Sequence, residues 1–571
     1  MPVNLKPVDV AVVGLGAAGG VAVLPLVRAG LKVAGIEAGT WMDPHKDFHP
    51  DEIHNNRRHG VTTVPKVQRE IPTVRANPAE TARQGAASPM MNAIGGTSIH
   101  YWAQSWRLKP WDFQARSETI RRYGAGAIPK GSTLEDWPLT YQDLEPFYDT
   151  IEHEVGVSGK AGNLQGQIDP RGNIFEGPRS REYPMPPLRG SGFTDHMAET
   201  AKKLGWHPFA PPAAINSQTY QGRSGCVYHG YCSSGGCHVS AKGSTAVTTI
   251  PAALKTKNLT IFDNAQVTRI FAGNDGKVTG VLYLRNGKEY FQPAKAVLLG
   301  SYVFENSRLL LLSKSKAYPR GLSNNHGQVG RHYFAHYDSW AGNSMKALFP
   351  FDINIWYGLP AQGACVDDFA DDSFDHAGLG FIGGTSMHVY TEVHPIAAAE
   401  ADRFGKAPAW GSGWKKYVRE NASRVAQCYL QTSTLPYESG YLDLDDQVRD
   451  PLGDPVCRVT TGGAKENEVR AGRYAQTKME QWFREAGAIS VSKGNITVAG
   501  VTTHTYGGTR MGDNPETNVT DKWGFSHEAP NLGLIGGSVF GTSGARNPTL
   551  TIQALAWRTA EHLAKNWKSI V

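Results

Sequence analysis

A chain of 571 residues can bury more than one hydrophobic core and suggests two or more domains. Its 40% apolar and 19% charged residues exclude an intrinsically disordered protein. A net charge of +6 with no dense Lys/Arg run argues against nucleic acid as a partner, and no apolar run approaches the roughly 20 residues of a membrane span.

Asp9-Val-Ala-Val-Val13 reads as a buried strand running straight into Gly14-Leu-Gly16-Ala-Ala-Gly19, so no signal peptide is expected at this end. A helix over Val21–Ala29, ended by Gly30, and a second strand, Val33 to Glu37, complete a strand–helix–strand unit. Each glycine has its own task. Gly14 makes the tight turn, Gly16 lets a pyrophosphate approach the backbone, and Gly19 lets the helix pack on the strand. The free N–H groups of the helix start favour the phosphates. Glu37, ending the second strand, can accept from a ribose 2′-hydroxyl, which fits FAD or NAD and disfavours a 2′-phosphate.

Residues 40–100 look irregular until Asn92-Ala-Ile-Gly95-Gly96-Thr97-Ser98-Ile-His100-Tyr-Trp102. A nicotinamide enzyme would not need this glycine-rich turn, which can run along an isoalloxazine ring and so points to FAD. Tyr141–Glu154 is expected as a helix capped by Thr140, and 158–190 as loop. Leu259–Phe262, Val267–Phe271, Val278–Tyr283 and Ala296–Leu299 read as strands. The aromatic and glycine-rich texture of 333–457 suits a sheet laid over the cofactor. Helices are expected over Glu466–Ala486 and Ile552–Asn566, and no internal repeat is visible.

Two further segments carry chemistry. His504-Thr-Tyr-Gly507-Gly508 and Arg546-Asn547-Pro548-Thr549 supply an imidazole and an amide for proton transfer beside a redox ring. Cys226, Cys232 and Cys237 fall within a dozen residues of glycine-rich chain that also holds His229. Three thiolates are too few for a [4Fe–4S] cluster but suffice for [3Fe–4S]. A Cys₃His zinc site and three plain buried thiols are the competing readings. Cys365, Cys428 and Cys457 are isolated and are expected in the core.

In the order of these motifs, together with Asp136-Trp-Pro-Leu-Thr140 and Gly330-Arg-His-Tyr-Phe-Ala-His336, the chain resembles the glucose–methanol–choline (GMC) oxidoreductases. It resembles most the bacterial sugar dehydrogenase branch, with pyranose oxidases as near relatives. The resemblance implies an α/β fold, α+β overall: a Rossmann-like FAD-binding domain of the glutathione-reductase type plus a sheet-based substrate domain. The first is expected from 1–110, 190–332 and 495–571, including the cysteine segment 224–242, and the second from 111–189 and 333–494. His504 and Asn547 are implied to flank the flavin N5 with the substrate carbinol between them. Asn92, Gly95, Gly96, Thr97 and Thr549 are implied to line the flavin, Val267 to meet the adenine through its backbone, and Ser538 to lie where the chain returns to the pyrophosphate and ring. The turn at Gly300-Ser-Tyr departs from the family's pattern. Some relatives join the flavin 8α-methyl to a histidine four residues after the second glycine, the place of His100, and the alternative is a histidine packed against the ring.

The expected activity is oxidation of a ring hydroxyl of a sugar or glycoside, with the proton taken by His504 and electrons leaving through a [3Fe–4S] cluster to a cytochrome c or quinone. Trp102, Trp106 and Trp356 offer stacking faces for a pyranose. Rival readings are a pyranose or glycoside oxidase that makes hydrogen peroxide without a cluster, a redox-silent lyase and a non-enzymatic scaffold. The resemblance also implies a small partner subunit carrying a twin-arginine signal, hence periplasmic residence by co-export, with cytoplasmic residence if no such partner exists.

Overall fold

The computed structural model describes residues 1–53, 71–85, 90–232, 235–336, 345–358, 361–391, 396, 408–496 and 502–571. Strand Val8–Val13 pairs in parallel with Val33–Ile36 on one side and with the end of Lys288–Leu299 on the other. Leu259–Phe262 extends this sheet past Val33–Ile36, and Leu532–Leu534 joins it beside Lys288–Leu299. Val10, Ala11, Val12 and Val13 are buried on both faces of the sheet, which is why they show no polar alternation.

Lys288–Leu299 has different partners along its two halves within one eight-stranded sheet. Its first half pairs antiparallel with Val278–Arg285, which continues into Ala265–Ala272, and its second half runs parallel to Val8–Val13 from Ala294 onward. The sequence reveals only Ala296–Leu299 of this strand, because the half-exposed front half carries Lys288 and Glu289 rather than an apolar run.

Helix Ala17–Arg28 begins inside the glycine fingerprint, four residues before the expected start, and packs against the final helix Thr549–Lys565. That last helix opens three residues earlier than the apolar spacing indicates, with Pro548 in its N-cap position, where a missing N–H costs nothing. Helix Tyr141–Val155 also packs on it. Thr140 caps that helix, its hydroxyl accepting from the Asp143 N–H at 3.2 Å while the Asp143 carboxylate accepts from the Thr140 N–H at 2.8 Å.

The second sheet is antiparallel. Its order is Ser490–Lys493, Met345–Leu348, Val425–Thr432, Thr385–Tyr390, Ala364–Val366 and Pro208–Phe209. Helix Glu466–Glu485 covers one face and buries Ala471, Ala475, Met479, Trp482 and Phe483 at helical spacing. Helix Gly192–Lys203, with Phe193 and Met197, joins the same core. The segment 190–332 therefore serves both layers. Segment 158–190 is loop apart from a hairpin of two-residue strands, Asn163–Leu164 and Gln167–Ile168. Part of the irregular stretch expected at 40–100, namely 54–70 and 86–89, lies outside the described residues. Among the described residues no helix is long and apolar enough to cross a membrane.

Candidate active site

The glycine fingerprint and the 95–100 turn meet backbone to backbone. Gly95 and Gly96 both have positive φ, and a Cβ on Gly96 would stand 2.7 Å from the Gly16 Cα, so the second loop can touch the first only with glycine at 96. Gly14, at φ +85, abuts Gly300, and a Cβ on Gly19 would lie 1.9 Å from the Gly14 oxygen. The Gly300-Ser-Tyr turn, despite its departure from the family's pattern, thus sits directly against the fingerprint. The Glu37 carboxylate accepts from the Leu15 and Gly39 N–H groups, both at 2.9 Å, tying the fingerprint to the turn after the second strand. Asn92 lies against Gly39, and Val267 lies in strand Ala265–Ala272 at a register shift. The Thr97 hydroxyl accepts from the Met91 N–H at 3.4 Å.

The carboxyl-terminal motifs close on this cradle. Gly536 approaches Ala18 of the first helix, and Gly537 packs against the Thr505 carbonyl and accepts from the Gly507 N–H. The Ser538 hydroxyl accepts from Asn306 at 2.9 Å, which anchors the returning segment to helix Val303–Leu312. Thr549 opens the last helix. Both ends of the chain therefore form one crevice.

Within it, Asn547 Nδ2 stands 3.4 Å from His504 Nε2. The other ring nitrogen of His504, Nδ1, is 3.2 Å from His336 Nδ1, and His336 Nε2 donates to the Gly544 carbonyl at 2.9 Å. The Tyr506 hydroxyl is 3.1 Å from His336 Nδ1. Part of the His504 ring is open to the crevice, yet the surrounding protein is dense enough that burial pushes its pKa down to about 4. The imidazole is neutral at physiological pH, as a base must be.

The turn carrying Asn547 is clamped from behind. Arg546 Nη2 donates to Asp367 at 2.8 Å, and the Ala545 N–H donates to Asp371 at 3.1 Å. Burial alone would raise the Asp367 carboxyl, but Arg546 and Lys109 outweigh it and hold it below its usual range. His336, Tyr506, Asp367 and Asp371 were not identified from sequence. His336 ends a motif that was recognised without a role for it, while the two aspartates carry no local signal. Of the tryptophans expected to stack on substrate, Trp102 is edged by Tyr390 and Tyr429 at 5.5 and 5.6 Å. Trp106 packs against Phe209 and His388, and Trp356 lies exposed beside Tyr231.

Two GMC oxidoreductase family profiles match, over residues 190–338 and 436–556. The chain is 31% identical to the gluconate 2-dehydrogenase flavoprotein of Pantoea cypripedii, across 99% of this chain and 94% of that one. The chain belongs to the GMC oxidoreductase family. It is also 29% identical to 2-methyl-1,2-propanediol dehydrogenase of Mycolicibacterium austroafricanum (100% and 98% covered) and 28% identical to the fructose dehydrogenase large subunit of Gluconobacter japonicus (98% of each). Pyridoxine 4-oxidase from Mesorbium loti shares the fold, with a TM-score of 0.60 at 16% identity over 97% of this chain and 99% of that one.

This GMC oxidoreductase is thus an FAD-dependent enzyme acting on the CH–OH group of its donors, in a family of sugar and alcohol dehydrogenases and oxidases. Its residues fit the cofactor. Besides the glycine cradle, His100 Nε2 and Asn547 Oδ1 are buried with no hydrogen-bond partner among the described residues, as expected of groups that face a ligand. Burial, reinforced by the Lys242 charge, lowers the His100 pKa to about 3 and keeps that imidazole neutral.

The cysteine loop is less gathered. Cys226 is raised to about 11, chiefly by burial, and Cys232 Sγ lies 3.5 Å from His229 Nε2. His229 Nδ1 accepts from the Tyr231 N–H at 3.2 Å, so in the neutral ring Nε2 carries the hydrogen. His229 thus faces Cys232 as a donor to sulfur. Among the described residues no three His, Cys, Asp or Glu side chains are placed to hold a metal ion, which removes the support for a Cys₃His zinc site. Ser233 and Ser234 lie outside the described residues. Two buried cations border the loop: among the described residues Lys242 donates to the Cys232 and Gly235 carbonyls, and Arg223 to those of Val155, Ser240 and Ala241. Neither is hydrogen-bonded to a carboxylate among the described residues.

Proposed function

We propose that this GMC oxidoreductase is a dehydrogenase that oxidises a ring hydroxyl of a sugar or glycoside. The observation that carries the reading is the His504–Asn547 pair, an imidazole and an amide 3.4 Å apart, on segments joined through Gly536 and Gly537 to the first helix of the glycine fingerprint. FAD, when bound, supplies the hydride acceptor. His504 Nε2 takes the hydroxyl proton, and Asn547 Nδ2 orients the oxygen by donating to it, so that the carbinol becomes a carbonyl. Relatives named for gluconate and fructose favour a sugar, while the propanediol dehydrogenase makes a small alcohol the comparison to run. The test is an anaerobic screen of sugars and alcohols for bleaching of the visible flavin band, with product identification. His504→Ala should retain FAD and reduce it about 10²–10⁴-fold more slowly. Wild-type rates in that variant refute the assignment, and rapid peroxide formation in air makes the enzyme an oxidase.

The proposal extends to His100 as the covalent attachment point of the flavin, supported by its buried, neutral and unpartnered Nε2. Flavin fluorescence that stays with the denatured chain, and disappears in His100→Ala, tests it. It extends also to an iron–sulfur cluster on Cys226, Cys232 and Cys237. A polynuclear centre interposes its own iron and sulfide, so it tolerates wider thiol spacing than a single ion does, and an anionic cluster would offset the cost of burying Lys242 and Arg223 unpaired. Iron and sulfide analysis with electron paramagnetic resonance decides that point. A relative named as a large subunit supports a small partner subunit; the proposal adds that this partner carries a twin-arginine signal, that a cytochrome c is the acceptor and that the periplasm is the destination. Fractionation with and without that partner tests this extension.

A further inference from the structure

We infer that His336 is a positioning residue that keeps the single proton of resting His504 on Nδ1, leaving the Nε2 lone pair aimed at the substrate oxygen. The inference rests on the reading of His504 as the base.

The Gly544 carbonyl can only accept, so His336 Nε2, 2.9 Å away, carries a hydrogen. His336 is buried, and burial together with the neighbouring His504 keeps its ring neutral. A neutral imidazole has one N–H, so His336 Nδ1 is bare. Among the described residues two groups face that nitrogen: the Tyr506 hydroxyl at 3.1 Å and His504 Nδ1 at 3.2 Å. His504 Nδ1 must donate to it, because a bare nitrogen there would set two lone pairs against each other, while the Tyr506 hydroxyl rotates and is free to share that one lone pair or turn away. Resting His504 is neutral as well, so its Nε2 is the unprotonated nitrogen.

The far side of His504 agrees with this order. Asn547 Nδ2 is a donor and lies 3.4 Å from Nε2, a long contact that an acceptor nitrogen tolerates. A substrate hydroxyl placed there donates its hydrogen to Nε2 and accepts from Nδ2, which satisfies all three groups. The backbone holds the two rings in place. Phe334–Ala335 pairs antiparallel with Thr505–Tyr506, the His336 N–H donates to the His504 carbonyl at 3.1 Å, and the rings meet at 5.3 Å and 75°. The charged groups behind the Asn547 turn, Arg546 and Asp371, are engaged with Asp367 and the Ala545 N–H. Among the described residues Tyr506 is the further titratable group hydrogen-bonded to this imidazole pair.

The arrangement has the logic of an acid–histidine pair with a neutral acceptor in place of the acid. After proton transfer the His504 imidazolium still donates through Nδ1, and among the described residues no carboxylate is hydrogen-bonded to it.

The test reads the tautomer directly in FAD-loaded protein carrying ¹⁵N-histidine, with the His504 signals assigned by their loss in His504→Gln. Wild type should show the neutral Nδ1–H pattern, and His336→Leu a shift towards Nε2–H. In anaerobic flavin reduction His336→Leu should lose about 10²–10⁴-fold in rate with a smaller change in KM. His336→Asn, whose Oδ1 stands near the place of Nδ1, should recover at least about tenfold of that loss. An Nε2–H pattern in wild type overturns the inference, as does an Asn variant that keeps its FAD and is no faster than Leu. If His336→Leu does not hold FAD, the wild-type and His336→Asn spectra decide. A wild-type flavin that no alcohol bleaches defeats the proposed activity, while the resting spectrum still answers the question of the tautomer.

Discussion

Gly16→Ala separates the demands of the cofactor from those of the protein. At Gly16 φ is −75° and a Cβ would meet only the Gly96 Cα, at 3.7 Å, an ordinary contact. The folded chain should therefore accept alanine there. What the methyl occupies is the space through which a pyrophosphate reaches the helix N-terminus. Displacing the phosphates forfeits about two charge-assisted hydrogen bonds of about 1.5–3 kcal/mol each, or about 10²–10⁴-fold in FAD affinity. The assay is the flavin-to-chain ratio after purification, followed by titration of the apoprotein with FAD. Gly30→Ala is the control: φ there is +85° with nothing within 4 Å, so it should cost about 1–2 kcal/mol of stability and keep its FAD. Gly96→Ala combines positive φ with a 2.7 Å clash and should lose both stability and flavin. Stoichiometric FAD and unchanged affinity in Gly16→Ala refute the reasoning.

Asp367→Asn leaves the Arg546 guanidinium buried without its carboxylate and should cost about 3–5 kcal/mol, read as a lowered denaturant midpoint; an unchanged midpoint refutes it. Because burial sets the His504 pKa at about 4, the anaerobic reduction rate should be flat from about pH 5 to 8 and fall as pH drops through 4; an acid limb centred above pH 6 contradicts this. Burial raises Glu468 to about 7, above the usual carboxylate value of about 4.3. The folded chain alone binds that proton between the two values, so this group's contribution to stability declines as pH rises from about 4.5 to 7. Glu468→Gln should accordingly gain in melting temperature over wild type between pH 5 and pH 8, and an equal difference at both refutes the assignment.

The legible parts of the molecule are those written locally. The fingerprint from Val10 to Glu37 pairs, turns and packs as its residue pattern requires, and the Thr140–Asp143 cap lies where the sequence puts it. His504 and Asn547 were legible because short glycine and proline motifs surround them. His336 ends a motif too, but nothing local gives its role, since its contact with His504 depends on pairing two-residue strands about 170 positions apart. Asp367 and Asp371 reach the Asn547 turn from across the second sheet, and only tertiary packing brings them there. The front half of Lys288–Leu299 went unrecognised for the opposite reason: its environment is wet, so periodicity carries no message.

Leu532–Leu534 completes the nucleotide sheet from a segment far along the chain from the fingerprint, and helix Thr549–Lys565 packs on the first helix. During synthesis, then, the glycine fingerprint emerges long before its sheet has every neighbour. Flavin loading has to wait for that distant segment, and until it is made the nascent apolar strands are open to wrong pairings.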